Sequence, residues 1–324
     1  MERARRFSNP WKRPGVFVCD HVAHRDFAGS VSPYHVLREK RCYPQGCLYF
    51  RWRCRRLEKG RPCPRRFTHV GRLCRGCRHY DEEKVHQQPR LLLSPGQWLD
   101  FRRELWAFEE WFDRVVGTEV EVTGRVGDVK PFFVREVDAG QRIRFRGFLV
   151  VFPRAHLGWT LLEAPVYLRV SRSAQERHAF RRGDLLEFRA TVRQDRGRVV
   201  LERMRRPEVL ERGTGAVWSV SDGLVARRTA TAFPRQPEQC LRCPSGTLLD
   251  VYQDTGERVR RFRRMLCLKG LPAPEACPRW SGAGPGAHRA SGPWEDRAAS
   301  PSPEPEVLGG WRPERRRGTA SGEG

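Results

Sequence analysis

Arg182-Gly183-Asp184 leading into Leu185-Leu-Glu-Phe-Arg-Ala-Thr-Val192, then Asp195-Arg-Gly197 leading into Arg198-Val-Val-Leu-Glu-Arg-Met204, decides how the middle of this 324-residue chain is read. Both runs alternate apolar and polar residues, the period of a half-buried strand, and the Asp-Arg-Gly between them suits a tight hairpin turn. The same period extends upstream. Glu119-Val-Glu-Val-Thr-Gly-Arg-Val126, Arg142-Ile-Arg-Phe-Arg-Gly-Phe-Leu-Val-Val-Phe152 and Ala164-Pro-Val-Tyr-Leu-Arg-Val170 read as three further strands, and a short helical piece spans Ser173 to Phe180. Gly127 to Gly140, with Phe132 and Phe133, reads as an extra hairpin between the first two.

Three strands, a short helix and a terminal hairpin are the element order of the OB-fold, a five-stranded Greek-key barrel. Residues 118–212 resemble that superfamily, above all in the Arg-Gly-Asp turn that enters an alternating strand. The resemblance implies a nucleic-acid-binding face on the second and third strands and their loops. In this chain that face is Arg142, Arg144, Arg146, Arg154, Trp159, Tyr167 and Arg169. Alternation independently places Arg142, Arg144 and Arg146 on one side of their strand. Like charges so placed repel one another unless a polyanion binds, although an exposed barrel wall also carries basic residues.

Ahead of the barrel, Ser94, Pro95 and Gln97 form a helix start with a capping box. Trp98, Phe101, Leu105, Phe108, Phe112 and Val115 recur at steps of three and four, and Gly117 ends the helix. The expected fold class is therefore mainly β with a capped amphipathic helix. A central OB-like barrel is expected between two small cysteine-rich metal-binding modules.

Those modules follow from where the eleven cysteines fall. Seven lie in the first 77 residues and four near the other end, with none between Cys77 and Cys240. In the C-terminal set, Cys240-x2-Cys243, Cys267 and Cys277 supply four thiolates, the number a closed tetrahedral zinc site needs. Two strand-like runs, Thr247–Tyr252 and Arg258–Leu266, lie between the pairs. This build resembles a zinc ribbon, departing from it in the nine residues between Cys267 and Cys277. Arg260, Arg261, Arg263 and Arg264 would lie on its second strand. The N-terminal set is Cys42, Cys47, Cys54, Cys63, Cys74 and Cys77, with Cys19, His21 and His24 as further candidates. One division pairs Cys42 and Cys47 with Cys74 and Cys77, leaving Cys54 and Cys63 to a second site. Another gives four of the six to one iron–sulfur cluster. Zinc is the expected ion and an iron–sulfur cluster the alternative.

Net charge is +24, with 62 Lys and Arg against 38 Asp and Glu, which invites a polyanionic partner. Residues 51–78 concentrate the excess, with eleven basic residues against the one acid Glu58. Arg51, Arg53, Arg55, Arg56, Arg65 and Arg66 are the candidate contacts, with Tyr43, Tyr49, Phe50 and Trp52 among or beside them as stacking or core residues. Phosphate-loop, His-Glu-x2-His, Gly-x-Ser-x-Gly and dinucleotide signatures are missing, so no catalytic residue is expected. No signal or membrane-spanning run is read, and the cytoplasm is the expected location. Residues 1–15 read as a basic flexible arm, 16–80 as the first metal module and 81–117 as linker and helix. The barrel follows at 118–212, a linker at 213–239, the zinc-ribbon-like module at 240–278 and a disordered tail at 279–324. The expected function is nucleic-acid binding, single-stranded DNA or RNA, with structural metals. The rivals are an iron–sulfur protein in electron transfer or redox sensing and a zinc-stabilised protein-interaction adaptor.

Overall fold

A computed structural model describes residues 5–280, except 22–23, 25–28, 138–141, 234–235 and 255–258 and the side chains of Glu238 and Arg260. The expected tail at 279–324 lies almost wholly outside the described residues. The chain divides into two compact units, one of residues 1–45 and 88–288, the other containing residues 46–87.

In the first unit, helix α1 (Pro95–Val115) begins as the sequence predicts. The Ser94 hydroxyl accepts from the Gln97 amide, and the Gln97 side chain accepts from the Ser94 amide. Its apolar stripe buries Phe101, Phe108, Trp111 and Phe112, and Gly117 turns the chain at φ +83°. The strands that follow are β1 (Glu119–Arg125), β2 (Asp128–Glu136), β3 (Ile143–Phe152) and β4 (Val166–Val170). After helix α2 (Arg172–His178) come β5 (Leu185–Asp195) and β6 (Arg198–Glu211).

Pairing runs antiparallel from β1 to β5 and β5 to β6, parallel from β6 to β4, and antiparallel from β4 to β3 and β3 to β2. The sequence of pairings returns to its start because β2 continues β1 through the corner Val126–Gly127. There the Val126 amide donates to the Asp184 carbonyl and the Gly127 amide to the Val151 carbonyl, both at 2.8 Å. Of the region expected as a separate hairpin at 127–140, residues 128–136 are thus the second half of one bent strand, and 138–140 lie outside the described residues. A side chain at Gly127 would strike the Pro153 ring. Phe133, Phe145, Phe148, Phe152, Leu168 and Leu186 are fully enclosed, the apolar half of the alternation. The Arg-Gly-Asp turn has a structural task. Asp184 is fully buried and accepts from the amides of Arg181 and Gly213, tying the entry of β5 to the exit of β6.

Three expectations change. The supposed flexible arm is part of the core: Arg5–Phe7 pairs with Thr160–Leu162, and Trp11 is buried edge-on against Phe108 and Phe112. The basic residues hid an indole that gains more from burial than the segment loses by ordering. The segment 213–239 carries helix α3 (Val220–Thr229) and strand β7 (Thr231–Phe233). Gly223 lets α3 approach the Phe145 ring, where a β-carbon would collide. Gly223→Val is expected to destabilise the protein by about 1–3 kcal/mol by overpacking, read as a lower urea midpoint with unchanged slope. Lastly, the C-terminal hairpin, β8 (Gly246–Asp254) and β9 (Val259–Cys267), extends the main sheet, with β8 parallel to β2.

The expected module 16–80 is divided between the units. Val16, Phe17 and Val36 are buried in the first, with Phe17 edge-on to Trp98 of α1. The second unit is built on a hairpin of Cys47–Cys54 with Tyr80–Gln87, so the polar stretch 81–84 is strand. Among the described residues no helix is long and apolar enough to cross a membrane.

Candidate functional site

The C-terminal cysteines are drawn together by turns. The Cys243 amide donates to the Cys240 carbonyl (3.2 Å) and the Gly246 amide to the Cys243 carbonyl (3.0 Å). Gly246 pairs with Cys267, and Gly270, at φ +70°, donates back to the Cys267 carbonyl. A β-carbon at Gly246 would strike the Cys240 carbonyl, so glycine there is what lets the turn close. Burial raises the Cys240 thiol, and charge on Cys243, Cys267 and Cys277 raises it further. Mutual repulsion of this kind is what a divalent cation would relieve. Lys130 of β2, itself buried, donates to the carbonyls of Cys243 and Gly246, both at 2.8 Å. Sequence reasoning missed this lysine, whose place in an apolar strand gave no hint of its partners.

In the second unit, Cys54, Cys63, Cys74 and Cys77 line one cavity of about 20 Å³, with His69, Phe67 and Val70 beside them. The volume suits a single ion or water. Cys47 starts the strand that Cys54 ends, roughly 24 Å away at about 3.4 Å per residue. Its thiol lies 3.6 Å from the Gln87 carbonyl. The structure thus groups Cys54 and Cys63 with Cys74 and Cys77, whereas Cys42 is buried in the first unit. Cys19 is also buried there, and His21 and His24 stand with their rings 5.4 Å apart. His35, unassigned by the sequence, brings its Nε2 to 3.1 Å from that of His24 and its Nδ1 to 3.1 Å from Glu39. Burial, then the charges of His35, His21 and Lys40, lower His24 to about 4. Among the described residues no three His, Cys, Asp or Glu side chains are gathered as tightly as a bound ion would hold them.

The basic stretch of the second unit is less free than its composition suggests. Register sets Arg51 opposite Glu83 and Arg53 opposite Asp81. Arg53 pairs with Glu58 and Glu83, Arg51 reaches Glu83 at 3.7 Å and Arg55 reaches Asp81 at 3.8 Å. Acids remote in sequence neutralise that strand. Arg56 and Arg65 donate to the carbonyls of Pro62 and Leu73, bracing the loop, and Arg66 holds a left-handed backbone at φ +57°.

At the start of β3, Arg142, Arg144 and Arg146 are exposed while Phe145 between them is buried, as alternation requires. Arg144 reaches Glu136 at 3.3 Å. Arg154 is exposed, and Trp159 is 89 % exposed at the tip of a hairpin formed by 155–157 and 160–162. Tyr167 and Arg169 are otherwise engaged. Arg198 lies 4.9 Å over the Tyr167 ring, and Arg169 bonds Asp195 and Glu202. Arg261 and Arg263 of β9 both bind Asp195 and Asp250, so these two are network residues as well. Arg264 lies over Phe262, and the Arg260 side chain is outside the described residues. A groove of about 560 Å³ that sequence reasoning did not single out is lined in part by Arg38, Arg41, Tyr43, Trp98 and Arg102.

No family model, no curated protein and no solved structure matches the chain.

Proposed function

We propose that this protein binds single-stranded nucleic acid on an OB-like barrel stapled by structural zinc. The observation that carries the reading is the exposed row Arg142, Arg144 and Arg146 together with Trp159. An indole open to water, with no core to cover, has the form of a stacking platform, and guanidinium groups offer phosphate contacts. The connectivity supports the barrel: a bent first strand (β1 and β2), then β3, β4, α2, β5 and β6, with β6 parallel to β4, is the pairing order of an OB-fold. The two four-cysteine groups support zinc by number and chemistry, since four thiolates are what a closed structural zinc site takes.

Changing Arg142, Arg144 and Arg146 together to Ser tests the face. Affinity for an unstructured oligonucleotide should fall, and the salt slope should flatten by about 2, or roughly 0.7 for each lost phosphate contact. Trp159→Ala should cost about 1–3 kcal/mol of binding and leave the melting temperature unchanged, because the ring buries nothing. Unaltered binding by both variants, with normal stability, would remove the barrel face and favour the protein-adaptor reading.

A further inference from the structure

A second cationic group lies apart from that row, where the β5–β6 turn meets the N-terminal segment and β9. The turn Asp195-Arg196-Gly197-Arg198 has Arg196 at φ +52° and Gly197 at φ +76°. Asn9 donates to the Gly197 carbonyl at 2.8 Å, and a β-carbon at Gly197 would strike Tyr34. The turn is therefore fixed from outside against Tyr34, and the Lys12 ammonium lies 5.8 Å from the centre of the same ring, where it feels the charge of Arg198.

The carboxylates in this region are already committed. Asp195 is shared by Arg169, Arg261 and Arg263, Asp250 by Arg261 and Arg263, and Glu39 bonds His35. No carboxylate among the described residues comes within ion-pair distance of Lys12, Arg196 or Arg198. The Arg198 contact is instead the face of Tyr167. Arg196 and Arg198 are half-buried while the Lys12 side chain is exposed, so the group is open to solvent on one side. Basic groups gathered with no carboxylate bonded directly to them cost free energy, and an oxyanion with several acceptor oxygens removes that cost.

We propose that Lys12, Arg196 and Arg198 form a binding site for a phosphate group, carried by a nucleic-acid strand or by a free polyphosphate. The site is distinct from the Arg142 row and does not require that row to bind anything. Crowding supports the assignment. Crowding of the ammonium end by surrounding groups, though the residue is exposed, and the charges of Arg198 and Arg263 lower Lys12 to about 7, against the pull of Glu39 and Asp195. A bound phosphate would draw its proton back. Burial also lowers Arg196 and Arg198, with Arg263 adding to it in each case. Sequence reasoning missed the site because Lys12 is 184 positions from Arg196, and the basic N-terminus reads as an arm.

The test uses the full chain, with sodium tripolyphosphate and a labelled oligothymidylate as probes. Lys12→Gln with Arg196→Asn removes two charges, and Asn tolerates the left-handed turn position. The double variant should melt no lower than the parent, since it relieves repulsion. Tripolyphosphate should raise the parent's melting temperature, and the variant should lose that shift, with about tenfold weaker binding or more. If oligothymidylate binding weakens in parallel and its salt slope flattens by about 1.4, the phosphate belongs to a strand. If the oligonucleotide binds parent and variant alike while tripolyphosphate discriminates, the ligand is a free polyphosphate. Equal tripolyphosphate shifts in the two proteins, or none in the parent, would overturn the site. Neither result would touch the Arg142 row, whose own variants report on it separately.

Discussion

Cys243→Ser should release one of two zinc ions per chain and loosen the C-terminal hairpin. If Cys240, Cys243, Cys267 and Cys277 hold the proposed zinc, losing one leaves three ligands and an open position. Structural zinc contributes on the order of 10 kcal/mol of apparent binding free energy in small modules, so partial loss exceeds most core substitutions. The damage should start in residues 240–280, where Lys130 holds the turn at Gly246, and reach β2 through its pairing with β8. The expected results are a fall from two zinc equivalents to one and early proteolysis at that end. Gly246→Ala should act in the same direction, because its β-carbon would push the Cys240 carbonyl aside. Iron with a visible absorption band would replace zinc by the iron–sulfur alternative. A chain purified under reducing conditions with neither metal would end both.

Asp250→Ala should destabilise the first unit by about 1–3 kcal/mol, because it leaves two half-buried guanidinium groups with only Asp195 to pair with. Asp250 is 1 % exposed and takes bonds from Arg261 and Arg263 at 2.8 Å. Burial alone would raise its carboxyl, but the charge of Arg263 and the bonds from both arginines outweigh it and hold the group below its ordinary 3.8. A carboxyl depressed in the folded state adds stability above its unfolded value and loses it as pH falls through the folded one. The parent should therefore lose stability as pH drops below about 4, and the variant should show less of that acid dependence. Urea unfolding at pH 7 and pH 3 measures both, and an Ala variant as stable as the parent would show that Asp195 alone neutralises β9.

Much of the fold is local and so was legible. The capping box at Ser94, the stripe from Phe101 to Phe112 and the alternation around Phe145 each show within one stretch of chain. The bent strand at Val126–Gly127 was not legible, because only pairing with Asp184 on one side and Val151 on the other distinguishes a corner from a turn. The arm was misread because lysine and arginine outnumber Trp11, whose burial among α1 aromatics depends on residues about a hundred positions away. The site was readable by residue type and less so by partner. Arg51 and Arg53 looked free until the hairpin set Glu83 and Asp81 opposite them. Arg169, Arg261 and Arg263 carried the right charge, yet Asp195 and Asp250 take it up. Cysteine spacing marked Cys240, Cys243, Cys267 and Cys277 as one set, because no other cysteine lies near them in sequence. In the N-terminal set six cysteines between 42 and 77 allowed several divisions, and the extended strand separates Cys47 from Cys54.

The most direct measurement is the anisotropy of a labelled oligothymidylate of roughly 20 nucleotides titrated with the full zinc-loaded chain at several salt concentrations. If about six phosphates are neutralised, binding should be tight near 50 mM salt, and log K should fall against log salt with a slope of about −4 to −5. No binding at that salt, or an affinity that salt leaves flat, would contradict the account.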